Sequence, residues 1–104
     1  MTIIISSFPK VEYSAHGLDF ELEIFQGQDE YVLEAHHVVN NVRQPVMPKY
    51  AASYLVADDY FRQYGEHIRD HLLAIAKSDI DSKMYLTTPH AKTWHIGANL
   101  LSKV

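Results

Sequence analysis

The sequence predicts an α+β fold: an antiparallel β-meander packed against one main helix, with a C-terminal β-hairpin. Three observations predict it. Leu18 to Phe25 alternates apolar and acidic residues without a break, the pattern of a half-buried strand. Asn40-Asn41 separates two β-type runs, and asparagine tolerates the positive φ that two-residue hairpin turns require. Phe61, Gly65, Ile68, Leu72 and Ile75 recur at helical period, one apolar stripe at 100° per residue.

The elements follow in order. Thr2 to Phe8 is β-branched and stops at Pro9, so it reads as a strand. In Leu18–Phe25, Leu18, Phe20, Leu22 and Ile24 face the core while Asp19, Glu21 and Glu23 face out. Gln26 to Glu30, with Gly27, is a turn. Tyr31 to Val39 is the next strand, with Tyr31, Leu33, Ala35, His37 and Val39 inward. Only an even loop keeps Leu22 and Ile24 beside Leu33 and Tyr31; an odd one buries a glutamate. If Val39 opposes Val42, His37 opposes Gln44 and Ala35 opposes Val46. Pro45 cannot donate to a ladder, so the returning strand Val42–Met47 lies at an edge.

Pro48 to Val56 reads as a short helix, since proline suits a first helical position. Asp58 or Asp59 then caps a helix running to about Lys77, with Gly65 approaching the sheet and Asp79 and Asp81 in the loop beyond. Tyr60, Tyr64, His67 and His71 share one flank of that helix. Lys83–Thr88 and Lys92–Ile96 form the final hairpin about Pro89-His90-Ala91, and Ala98–Val104 is a strand or a last helical turn. The expected core is Leu18, Phe20, Leu22, Ile24, Leu33, Ala35, Phe61, Ile68, Leu72, Ile75, Leu86 and Trp94.

Composition bounds the function. With 104 residues the chain is one domain, 1–104. It holds no cysteine, which removes disulfides and thiolate metal sites and fits a reducing, cytoplasmic setting. The N-terminus lacks a basic region and a signal-length apolar stretch, and no run reaches the ~20 residues of a membrane span. No nucleophile elbow or phosphate-cradling glycine loop is present. The reading is therefore non-enzymatic, with no cofactor, no membrane and no direct nucleic-acid contact.

Seven histidines stand out. His67 and His71, four apart on one helix, have the spacing at which two imidazoles meet one metal. That makes a His-dependent metal protein or metal-dependent enzyme the alternative reading, although zincin helices place a glutamate directly after the first histidine and this chain does not. His36 and His37 split across their strand, with His37 inward beside Leu18 or Phe20.

Charge is segregated. From Val11 to Val42 there are seven acids, Glu12, Asp19, Glu21, Glu23, Asp29, Glu30 and Glu34, and no lysine or arginine; the rest holds nine basic and six acidic residues. Asp19, Glu21 and Glu23 stand about 7 Å apart along one strand face, close to the separation of successive phosphates along a nucleic-acid strand. Solvated faces usually mix signs. The expected partner-binding residues are Asp19, Glu21, Glu23, Glu34 and His36, and the expected partner is a basic, nucleic-acid-binding protein. Pairing through an edge strand would give a homodimer.

The stretch Glu21–Val42, ELEIFQGQDEYVLEAHHVVNNV, resembles the central meander of small phage-encoded anti-CRISPR proteins of the type I-F group. The shared pattern is an alternating strand, a glycine turn, a second strand ending in Val38-Val39-Asn40, then a turn and an edge strand. The resemblance implies a phage or mobile-element protein that inhibits by binding. An immunity or antitoxin-type protein has the same features at this level.

Overall fold

The computed structural model describes residues 4–86 and 93–96. In chain order the elements are β1 (Ile4–Ser7), β2 (Val11–Ala15), β3 (Leu18–Gly27), β4 (Glu30–Val39), β5 (Val42–Pro45), β6 (Lys49–Ser53), α1 (Tyr54–Tyr64), α2 (Ile68–Asp81), a 3-10 turn at Met84–Leu86 and β7 (Thr93–His95). The class is α+β, as expected: one sheet with two helices.

Strands β3 and β4 are the spine. Their loop is Gln28-Asp29, and Ile24 opposes Leu33 while Leu22 opposes Ala35. The even parity holds, shifted by two residues from the expected pairing. At the Asn40-Asn41 turn both residues have positive φ, 51° and 64°, and Val39–Val42 and His37–Gln44 pair as expected. The ladder stops at Pro45, so no Ala35–Val46 pair follows. β1 and β2 share the far side of β3, β5 and β6 share the far side of β4, and β7 runs parallel to β6.

Both helices lie on one sheet face. Ile68, Leu72, Ala76 and Ile80 form an i, i+4 row along α2, all buried, against Phe20, Leu22, Ile24, Leu33, Ala35, Tyr50 and Ala52 of the sheet. Leu18, Ile75 and Trp94 are partly buried at the margin of this core.

Several expectations fail for physical reasons. Lys49–Ser53 is a strand, because the far edge of β4 at residues 30–33 needs a partner and β6 supplies it; tertiary pairing overrides weak local propensity. The helix cap is therefore Ser53, whose hydroxyl accepts from Val56 N at 3.2 Å, not Asp58 or Asp59. The helix does not run on to Lys77. Gly65 adopts φ +72° as the C-cap of α1, and its N–H donates to Phe61 O at 2.8 Å. It makes no close approach to the sheet, since a Cβ added there meets nothing within 4 Å. The break rephases the pattern, so Tyr60 is buried and Phe61 lies 60% exposed. β2 is a strand the sequence reading left out, closed on β3 by His16-Gly17 at φ 56° and 74°.

The C-terminal hairpin is also revised. Met84–Leu86 is a 3-10 turn with Leu86 exposed, and Thr93–His95 pairs parallel with β6. The expected turn at 89–91 and the tail at 98–104 lie outside the described residues.

Gly65 supplies a direct check. Gly65→Ala forces an L side chain into the left-handed region at a cost of about 1–2 kcal/mol. Thermal unfolding should show this loss, although no neighbour is touched.

Candidate acidic sheet face

The face opposite the helices is set by strand parity. β2 contributes Glu12 and Ser14, β3 contributes Asp19, Glu21 and Glu23, β4 contributes Glu34 and His36, and β5 and β6 contribute Arg43 and Lys49. The five expected residues Asp19, Glu21, Glu23, Glu34 and His36 therefore do share one face. Register sets Glu12 opposite Glu21 and Glu23 opposite Glu34, cross-strand pairs of like charge that destabilise unless offset.

The offset comes from outside the acidic stretch. Arg43 Nε lies 2.9 Å and Lys10 Nζ 3.9 Å from Glu21 Oε1. The Glu21 oxygen is buried beneath these cations in an off-axis ion-pair geometry, without a hydrogen bond. Lys49 Nζ lies 3.5 Å from Glu34 Oε2, and His36 Nε2 is 3.7 Å from Glu34 Oε1. The row is thus divided. Glu21 and Glu34 are neutralised by Lys10, Arg43 and Lys49, residues just beyond the basic-free segment. Glu12 and Glu23 make no ion pair among the described residues, and Asp19 accepts a 2.8 Å hydrogen bond from Ser14 Oγ. Glu12, Ser14, Asp19, Glu21, Val38 and Asn41 line a shallow cleft on this half of the face.

Sequence reasoning missed Glu12 as part of the face. The signal was present: Val11, Tyr13 and Ala15 alternate with Glu12 and Ser14 ahead of His16-Gly17, a strand followed by a turn pair.

The histidines do not assemble as the metal reading requires. His67 is not on a helix with His71; it is the N-cap of α2, with extended backbone, and its Nδ1 accepts from Arg69 N at 2.9 Å. Its ring packs edge-on to Tyr31 and Phe8, at 5.0 and 5.6 Å. His71 instead stacks on Tyr60 at 5.0 Å, and Tyr60 on Tyr64 at 4.8 Å. Three of the four expected flank residues meet, and His67 turns away. His37 opposes Phe20 with ring centroids 5.6 Å apart, as expected. Among the described residues no group of three or more His, Asp or Glu side chains is arranged to hold a metal ion.

The capping role predicts its own mutant. His67→Ala should destabilise by about 1 kcal/mol, His67→Asn should restore most of that, and a chelator should leave the thermal midpoint unchanged.

No family model, curated protein or solved structure matches this chain.

Proposed function

We propose that this protein is a non-catalytic binding protein, an inhibitor or accessory factor that engages a basic, nucleic-acid-handling protein through its acidic sheet face. The observation that carries this reading is the charge left over on the β2–β3 half. Among the described residues Glu12 and Glu23 have no cation, and Lys10 and Arg43 both converge on Glu21. Neither helix packs on that face, and Glu12 and Asp19 are exposed on it, open to solvent and approaching partners. Unbalanced charge of this kind steers association and selects against like-charged partners. The resemblance of residues 21–42 to type I-F anti-CRISPR proteins agrees with an inhibitor of phage origin acting on a nucleic-acid-binding complex.

The test is capture from a bacterial lysate on the immobilised chain, beside a variant with Glu12→Gln, Asp19→Asn and Glu23→Gln. Asparagine at position 19 keeps an acceptor for Ser14. The expected result is a basic protein held by the wild type, released by salt and missing from the variant. Retention of the same proteins by the variant would overturn the reading.

A further inference from the structure

Among the described residues the sheet has several free edges, and they are not alike. β5 carries Arg43 and ends at Pro45, two standard guards against strand addition. β7 has three described residues, Thr93–His95. β1 is four residues long, with a register break between Ile4 and Ser6. β2 is different. Its five residues, Val11–Ala15, contain no proline, no basic residue and no bulge, and among the described residues they pair only with β3.

Register fixes which backbone groups of β2 are open. The His16-Gly17 turn makes Ala15–Leu18 the closing pair. In an antiparallel ladder, hydrogen-bonded and non-hydrogen-bonded pairs alternate. Ala15, Tyr13 and Val11 therefore spend their N–H and C=O groups on β3, while those of Glu12 and Ser14 point away from it. The Ser14–Asp19 side-chain contact of 2.8 Å fits the closer approach of a non-hydrogen-bonded pair. The edge is also held firmly from beneath. Tyr13 OH donates to Asp81 Oδ1 at 2.6 Å, Lys77 Nζ lies 5.6 Å over the Tyr13 ring, and His16 Nε2 is 3.0 Å from Asp81 O. A fixed edge loses little freedom when a strand joins it.

We infer that β2 is a docking edge for an extended, basic segment of a partner protein, which joins the sheet as an added strand. The inference rests on the proposed reading of the acidic face and names how the partner is held there. In an added antiparallel strand, the residue opposite Glu12 directs its backbone groups at Glu12 and its side chain to the outer face. A lysine or arginine at that position comes to rest beside Glu12, at the cleft shared with Asp19 and Glu21, and relieves the Glu12–Glu21 opposition. Main-chain bonds supply affinity and alternate side chains supply selectivity, as in other strand-addition complexes. Charge selects the occupant. Two copies of this chain joined through β2 would set their acidic outer faces side by side, which like-charge opposition disfavours.

The probe is a capped Lys-Thr repeat peptide of about eight residues, compared with the same peptide N-methylated at its lysines. Charge is equal in the two, but the methylated peptide cannot donate to the β2 edge. The readout is amide hydrogen exchange of the full chain at low salt. The expected result is that the plain peptide raises protection at Glu12 and Ser14 by about tenfold or more, and that the methylated peptide does not. Ser14→Pro, which removes an outward-facing donor and spares the ladder to β3, should abolish the effect. Equal binding of both peptides without protection at Glu12 and Ser14 would overturn edge docking and leave the acidic-face reading standing. Failure of both peptides to bind would overturn both readings. A dimer of the chain alone, dispersed by Ser14→Pro, would overturn the choice of occupant.

Discussion

Leu72→Ala should destabilise the protein by about 2–5 kcal/mol, the cost of lost transfer energy plus an unrelaxed cavity. Leu72 is fully buried in the middle of the α2 row, and α2 packs on β2, β3, β4 and β6. Leu22, equally buried from the sheet side, should behave the same way. The discriminating companion is Phe61→Ala. On the uninterrupted stripe read from sequence, Phe61 and Leu72 are equivalent; in the fold Phe61 is mostly solvent-exposed, and its truncation should cost under about 0.5 kcal/mol. Urea unfolding of the three variants checks this, with comparable losses at Phe61 and Leu72 contradicting the break at Gly65.

The second large effect belongs to Tyr50. Its side chain is fully buried, and its hydroxyl donates to Asp79 Oδ2 at 2.6 Å, joining β6 to α2. Trp94 of β7 packs edge-on to the same ring at 5.6 Å. A buried hydrogen bond to a carboxylate contributes about 1.5–3 kcal/mol, so Tyr50→Phe should lose about that much near neutral pH. The pair also shapes alkaline behaviour. Burial first, then the hydrogen bond and negative charge of Asp79, push the Tyr50 hydroxyl well above its ordinary value of 10.0. The folded chain therefore keeps this proton at pH values where the unfolded chain has lost it. The contribution is complete below pH 10.0 and declines as the pH rises beyond it. Tyr13, Tyr31 and Tyr60 are raised as well and add to the decline. Stability measured across that range should fall in the wild type and fall less steeply in Tyr50→Phe; parallel slopes would contradict the assignment.

Much of the fold was legible where side-chain period and turn chemistry agree. Leu18–Phe25 announces both its conformation and its faces, and Asn40-Asn41 pins a register to the residue. Legibility ended where a long-range partner decides. Lys49–Ser53 has weak preferences of its own, and only the vacant side of β4 makes it a strand. Gly65 sits at a helical phase, so periodicity alone reads through it, and only its positive φ shows a cap. Asp79 and Asp81 look like loop charges after a helix ending at Lys77. In fact α2 extends to Asp81, and both carboxylates receive tyrosine hydroxyls, from Tyr50 and Tyr13.

The acidic face was legible as a pattern and misread in its electrostatics. Alternation was enough to set Asp19, Glu21 and Glu23 on one side. The absence of nearby bases in sequence did not imply their absence in space, because β5 and β6 return Arg43 and Lys49 across the same face. Among the described residues, what remains unbalanced is a smaller patch, displaced toward β2, whose centre is Glu12 with Asp19 and Glu23 beside it.

The most direct test is the association rate of the captured partner, followed from about 0.1 M to about 1 M salt, over which the Debye length shrinks from ~10 Å to ~3 Å. The wild type should slow steeply across that range. The variant with Glu12→Gln, Asp19→Asn and Glu23→Gln should start slow and change little, while Asp58→Asn, on the exposed surface of the helical layer, should track the wild type. If the triple variant associates at the wild-type rate with the wild-type salt slope, the acidic sheet face is a solvated surface and not the binding site.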